Sequence, residues 1–246
     1  MKQHIFFDLD DTLIHCNKYF YLVIDQFADA LSTWFQGYGG VNAEAIRAKQ
    51  VEIDIAGISV FGFKSEHFPQ SFVDTYVHFS NTTGRKRSAK EQDFLWKLGL
   101  SVYEHDTEPY PNMLETLDSL AESGHELHLY TGGEIVIQRR KIEKMQLESY
   151  FGSRIYIRQH KNSEALEHIL ADGGFDRGHT WMIGNSIRTD VVPALTAGIH
   201  AIHMRTESEW HYNVVQIDVQ PKGAFLTLDK LVEVPTAIEG YISRQT

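Results

Sequence analysis

Ile5-Phe6-Phe7-Asp8-Leu9-Asp10-Asp11-Thr12-Leu13 begins with three consecutive apolar residues and runs straight into a cluster of carboxylates. A short apolar run without alternation suits a strand buried on both faces, as in a parallel sheet. The acids then fall just past the strand's carboxyl end, where such sheets bind their ligands. The same device recurs from about residue 106. Glu126-Leu127-His128-Leu129-Tyr130 ends in Thr131-Gly132-Gly133, Ile155-Tyr156-Ile157-Arg158 precedes Lys161, and Thr180-Trp181-Met182-Ile183 ends in Gly184-Asn185-Ser186. Ile199–His203 and Ala224–Leu228 read as further strands. Helices are expected between them: one with Pro111 in its first turn and Gly124 at its end, then about 135–147, 163–170 and 191–197, the last stopped by Gly198. Strand–helix alternation predicts an α/β fold, a doubly wound, Rossmann-like parallel sheet built from right-handed βαβ units with helices on both faces. Asp8, Thr131, Lys161 and the stretch from Asn185 to Asp190 each follow a strand directly, which points to one site assembled from loops distant in sequence.

Residues 17–105 read differently. Tyr19, Phe20, Val23, Ile24, Phe27, Leu31, Trp34 and Phe35 recur at three- and four-residue spacing, the mark of a long amphipathic helix. A second helix is expected over 42–56 with Asn42 as N-cap, a third around Ser71–Phe79, and a fourth from Ser88 to about Tyr103 with Glu91 at the capping-box offset. The block is an all-helical insertion. The expected organisation is therefore a core of residues 1–16 and 106–246 and a helical domain of 17–105, joined near Cys16–Asn17 and His105–Pro109.

Composition narrows the partners. The 246 residues carry a net charge of −10, which disfavours non-specific attraction to nucleic acid or anionic lipid. A small anionic substrate remains compatible, because a site's local charge can oppose the global sign. No run approaches the ~18 apolar residues of a membrane span. The apolar stretch at the amino terminus is too short for a signal peptide, and the single cysteine, Cys16, excludes an intramolecular disulfide framework. A cytoplasmic setting is the expectation; oligomeric state is not readable.

Two carboxylates two residues apart beyond a strand can serve a metal and a leaving group, and an aspartate can itself be a nucleophile toward phosphorus. Alone, Asp8-Leu9-Asp10-Asp11-Thr12 reads equally well as an acidic turn capping a helix. The ordered set is more specific: Phe6-Phe7-Asp8-Leu9-Asp10-Asp11-Thr12-Leu13, then Leu129-Tyr130-Thr131-Gly132, then Lys161, then Met182-Ile183-Gly184-Asn185-Ser186 with Asp190. It resembles the haloacid dehalogenase (HAD) superfamily, in its phosphatase branch, and the helical block between the first two motifs resembles that family's C1-type cap. The resemblance implies a phosphatase of small phosphomonoesters working through an aspartyl-phosphate. Asp8 would be the nucleophile and Asp10 the acid that protonates the leaving oxygen and then the base that activates water. Thr131 and the Gly132 N–H would hold phosphoryl oxygens. Lys161 would neutralise nucleophile and phosphate together. Asp8, the Asp10 backbone carbonyl, Asn185 and Asp190 would bind Mg²⁺, an ion suited to oxygen ligands. Arg188, inside the last motif, is a further candidate for substrate binding.

Two residues depart from the family's pattern. Asn162 follows Lys161 where proline is common, and Asn185 stands where the family usually has aspartate. With Asp8, Asp10 and Asp190 set against Mg²⁺ and Lys161, the charges balance before substrate arrives. Asn185 is thus expected to weaken Mg²⁺ binding and ease entry of a phosphate dianion. Asp10 argues against carbon–halogen cleavage, because a departing halide needs no proton. Phosphotransferases and mutases keep the same motifs, and a non-catalytic phosphate- or protein-binding module is the competing class. From the helical block, the basic loop Arg85-Lys86-Arg87 and His67 are candidates for contacting the leaving group. Trp210-His211-Tyr212 carries no assignable motif.

Overall fold

Phe6 points to one face of a six-stranded sheet while Ile5 and Phe7 point to the other, and all three are fully buried. That double burial is why Ile5–Phe7 run apolar without alternation up to Asp8. The computed structural model describes residues 1–206 and 209–245. They form two compact units, one of residues 1–17 with 107–246 and one of 18–106.

In chain order the elements are β1 (His4–Phe7), α1 (Asn17–Trp34), α2 (Ala43–Phe61), α3 (His67–Thr83), α4 (Ala89–Leu100), α5 (Met113–Glu122), β2 (Glu126–Gly132), α6 (Ile135–Lys144), α7 (Glu148–Phe151), β3 (Ile155–Arg158), α8 (Ser163–Asp172), β4 (Thr180–Gly184), α9 (Val192–Ala197), β5 (His200–Met204), β6 (Phe225–Leu228) and α10 (Val234–Gln245). All strand pairs are parallel, in the order β3-β2-β1-β4-β5-β6. The chain builds outward from β1 in one direction and then, from β4, in the other. The order therefore reverses between β1 and β4, and a crevice opens at their carboxyl ends. One face is covered by α5, α7 and α10 around Trp181, Leu117, Phe151 and Ile238, and the other by α8 and α9 through Leu166, Leu170 and Leu195.

The second unit has its own core, in which Phe27 of α1 stacks on Phe72 of α3 with ring centroids 4.1 Å apart. Asn42 caps α2 by accepting from the Ala45 N–H at 2.9 Å. The third helix begins at His67, four residues before the expected Ser71. The expected capping box on α4 does not form, because Ser88 makes no side-chain cap bond and Glu91 is taken by other donors. Arg85 grips both Glu91 oxygens at 2.7 Å, donates to the Trp34 carbonyl and lies over the Phe35 ring, so it serves the core of this unit; Lys86 and Arg87 are exposed. His67 packs so closely on Gly57 that a Cβ there would fall 1.7 Å from its ring, and its Nε2 bonds the Asp54 carbonyl oxygen. These contacts make His67 a helix-packing residue. Among the described residues, no helix is long and apolar enough to cross a membrane.

In the first unit, Pro111 precedes α5 rather than lying in its first turn. The helix expected over 135–147 ends at Lys144, and the one expected from 191 is entered through a π-type turn, Ile187–Val191. Asn162, the departure from the usual proline, caps α8 by accepting from the Ala165 N–H at 2.9 Å.

Candidate active site

Asp8 is the first residue beyond β1, and its N–H still donates to the Ile183 carbonyl of β4 at 2.9 Å. The chain then folds back on itself: Leu13 and Ile14 donate to the Leu9 carbonyl at 2.9 and 3.0 Å. This tight loop forces Asp11 to φ +58°, and its carboxylate turns inward to accept from the N–H groups of Cys16 (3.0 Å) and Asn17 (2.9 and 3.1 Å). Asp11 thus holds the loop and the start of α1. Burial pushes its pKa up to about 7 against those hydrogen bonds. A folded pKa above the unfolded value means that this carboxyl's contribution to stability is full below about pH 4 and falls as pH rises through 7. Asp11→Ala is expected to lower stability by about 1–3 kcal/mol, because buried N–H groups lose their acceptor. Asp11→Asn keeps an acceptor, tolerates a left-handed backbone and carries no charge, so it should gain on wild type between pH 6 and pH 8. Urea midpoints at the two pH values measure this, and an alanine variant as stable as wild type would refute the role.

Lys161 is the centre of the site. Its ammonium donates to Asp8 Oδ1 at 2.6 Å, pairs with Asp190 Oδ1 and sits 5.0 Å from the Tyr130 ring centroid; its side chain is 2% exposed. Burial alone would depress Lys161, but Asp190 and Asp8 outweigh it and hold the amine well above its ordinary range. Burial likewise pushes Asp8 up to about 7, with Lys161 pulling it down and Asp190 pushing it up. Asp190 is positioned by the π-type turn, where its Oδ2 accepts from the Ser186 N–H at 2.9 Å. A Cβ at Gly184 would lie 2.2 Å from that oxygen, so only glycine admits this approach.

Thr12 ties the first loop to the end of β4. Its hydroxyl donates to Asp8 Oδ2 (3.1 Å), accepts from the Asn185 N–H (3.1 Å) and lies 3.5 Å from Asn185 Oδ1. On the β2 side, Thr131 is fully buried at the strand's end with Gly132 beside it, and its hydroxyl accepts from Gln138 Nε2 at 2.7 Å. The same amide nitrogen donates to Asp10 Oδ2 at 3.0 Å, and Lys141 Nζ lies 2.7 and 2.9 Å from the two Asp10 oxygens. Asp10 thereby holds Lys141 well above its usual range against the effect of burial. Cys16 Sγ is 3.9 Å from that ammonium, and burial pushes its thiol up, keeping it neutral.

The structure thus gathers Asp8, Thr12, Lys161, Asn185 and Asp190 into one hydrogen-bonded group, and Asp10 with Thr131 into a second through Gln138. Arg188 joins neither. It is exposed, donates to the Tyr212 carbonyl at 2.6 Å and covers the Tyr212 ring at 4.6 Å. Five residues of the site were not singled out from sequence: Asp11, Thr12, Gln138, Lys141 and Glu209. Gln138 and Lys141 are three apart on the helix that follows Thr131-Gly132, hence on one face, and that spacing was a readable signal. Glu209, which accepts from Asn185 Nδ2 at 3.1 Å, lies in the unassigned segment and had none. Toward the opposite end of the strands, His4 Nδ1 and His128 Nε2 meet at 3.3 Å beside Glu126, a proximity made by the β1–β2 register. Glu126 is itself paired with Lys2 and lies 3.8 Å from Arg154, and burial pushes His128 down to about 3, so it stays neutral.

Comparison with known proteins gives the family and the fold. The profile of the haloacid dehalogenase-like hydrolases matches residues 2–198, and the chain belongs to that family. It is a hydrolase on a parallel α/β core. The chain is similar to the glyceraldehyde 3-phosphate phosphatase of Methanothermobacter thermautotrophicus, with 23% identity over 84% of this chain and 87% of the relative. Among solved structures, a haloacid dehalogenase-like family hydrolase of Xanthomonas campestris superposes with TM-score 0.78 at 21% identity, covering 99% of this chain and 97% of its own. A protein described as a HAD-hydrolase of Bacillus subtilis, bound to magnesium, superposes with TM-score 0.61 at 16% identity over 96% and 98%.

Proposed function

We propose that this hydrolase is a Mg²⁺-dependent phosphatase that cleaves a small phosphomonoester through an aspartyl-phosphate on Asp8. The observation that carries the reading is the buried Asp8–Lys161–Asp190 triad at the switch point of the sheet, with a second carboxylate, Asp10, two residues on in the same loop and paired with Lys141. A carboxylate oxygen of Asp8 attacks phosphorus, and the bond from phosphorus to the ester oxygen breaks. Asp10, entering the step as the protonated acid and parted from Lys141, gives its proton to the departing oxygen. It then takes a proton from water as that water attacks the acyl-phosphate, releasing inorganic phosphate and restoring Asp8. Thr131 and the Gly132 N–H hold phosphoryl oxygens, and Lys161 offsets the charge shared by nucleophile and phosphate.

The donor set fits Mg²⁺. Asp8 Oδ2 and Asn185 Oδ1 converge on the same Thr12 hydroxyl, Asp10 offers a backbone carbonyl, Asp190 adds a carboxylate, and all of these donors are hard oxygens. When bound, the ion supplies charge that draws phosphate and nucleophile together. In this reading residues 18–106 are the cap that selects the leaving group, and 1–17 with 107–246 are the catalytic core. The named curated relative makes a triose phosphate a reasonable member of the first substrate panel, beside other sugar phosphates, nucleotides and phosphoglycolate. Release of p-nitrophenol from its phosphate is expected to require Mg²⁺ and to stop with EDTA. Turnover indifferent to EDTA would refute the cofactor, and no turnover of any phosphomonoester would refute the reaction.

A further inference from the structure

We propose that Glu209 is the positioning residue of the Mg²⁺ site: its carboxylate orients the Asn185 amide and restores the negative charge that asparagine lacks. The proposal rests on the Mg²⁺-dependent reading above. A carboxylate has no proton to give, so the Asn185 group facing Glu209 must be the NH₂. Nδ2 accordingly lies 3.1 and 3.4 Å from the two Glu209 oxygens. The amide is planar, so Oδ1 is turned the opposite way, toward Thr12 and Asp8. Thr12 has one hydroxyl proton, and the nearer acceptor is Asp8 Oδ2 at 3.1 Å rather than Asn185 Oδ1 at 3.5 Å. The Asn185 oxygen therefore keeps its lone pairs directed at the side where Asp8 binds the ion. Were the amide flipped, an NH₂ group would point there and no metal could be held by it.

Glu209 is fixed for this task. Besides Asn185 it accepts from Asn213 Nδ2 at 2.7 Å, the Trp210 N–H at 3.0 Å and the Thr206 hydroxyl at 3.2 Å. These donors fix the carboxylate in place. Where the family's aspartate would place one negative charge on the ion directly, this chain divides the job: Asn185 supplies the oxygen and Glu209, one hydrogen bond behind it, the charge. Ligand-orienting partners of this kind are worth roughly tenfold to a hundredfold in metal affinity.

The test is titration calorimetry with Mg²⁺ on wild type, Glu209→Gln, Asn185→Asp and the exchanged pair Asn185→Asp/Glu209→Gln, with thermal midpoints measured in EDTA. Glu209→Gln is expected to bind Mg²⁺ roughly ten to a hundred times more weakly. Asn185→Asp sets two carboxylates against each other and should melt lower than wild type in EDTA. The exchanged pair rebuilds an amide–carboxylate bond in the reverse order and should regain both the midpoint and, within about threefold, the Mg²⁺ affinity. Glu209→Gln binding Mg²⁺ as wild type does, or an exchanged pair that neither binds Mg²⁺ better than Glu209→Gln nor melts above Asn185→Asp, would overturn the assignment. If Glu209→Gln fails to fold, the exchanged pair decides alone. A wild-type chain that binds no Mg²⁺ would overturn the proposed cofactor and this role with it, whereas wild-type binding with an indifferent Glu209 would overturn this role only.

Discussion

Asp8→Asn is expected to abolish phosphate release while leaving the fold intact. An amide is a poor nucleophile, and removing the attacking group of an enzyme costs on the order of 10⁴ to 10⁶ in kcat. The stability side follows from burial. Asp8 is pushed up to about 7, above the unfolded carboxyl value, because its charged form is poorly solvated where it lies. The fold thus favours the protonated carboxyl, whose contribution is full below about pH 4 and is lost as pH rises through 7. A neutral amide of the same shape avoids that cost, and Lys161 keeps its pair with Asp190. The thermal midpoint at pH 8 should therefore equal or exceed that of wild type while p-nitrophenol release disappears. Turnover within tenfold of wild type would show that phosphorus is attacked by some other group.

The elements that position this site were legible because burial leaves a periodic mark. Ile5-Phe6-Phe7 and Trp181-Met182-Ile183 are apolar without alternation since helices cover both sheet faces, and that alone places Asp8 and Asn185 beyond strand ends. What the sequence hid were partnerships between segments. Lys141 resembles any helix-surface lysine until Asp10 is seen against it. Glu209 has no spacing relation to Asn185, and counting only motif residues brought the site to balance without it. The structure adds Glu209 and Lys141 to that balance, and Asp11 besides, so the charge is distributed differently from the motif count. The expectation that Asn185 weakens Mg²⁺ binding does not reckon with the carboxylate behind it. Local rules also failed where a stronger partner competed. Ser88 with Glu91 has capping-box spacing, but a paired guanidinium offers that carboxylate more than one backbone N–H does.

Lys161→Met is expected to damage both activity and folding, and the pH dependence of the damage identifies the cause. Lys161 stands between Asp8 and Asp190 in a place its side chain leaves 2% exposed. Removing one member of a buried ionic group strands the others, typically at about 3–5 kcal/mol. Lys161 pulls the Asp8 pKa down, so without it Asp8 moves above 7 and takes a proton more readily. Protonation relieves the stranded pair. The gap in thermal midpoint between wild type and Lys161→Met should therefore be wide at pH 8 and narrow toward pH 5.5. Catalysis should fall by at least about 10² to 10³ in kcat, the usual cost of one transition-state donor. Adding Asp190→Asn to Lys161→Met removes one of the stranded charges, so it should recover stability at pH 8 without recovering turnover. A stability gap that stays constant from pH 5.5 to 8 would mean that the lysine contributes packing of its aliphatic stem instead of charge. The charge-neutralising role assigned to it in phosphoryl transfer would then lose its footing.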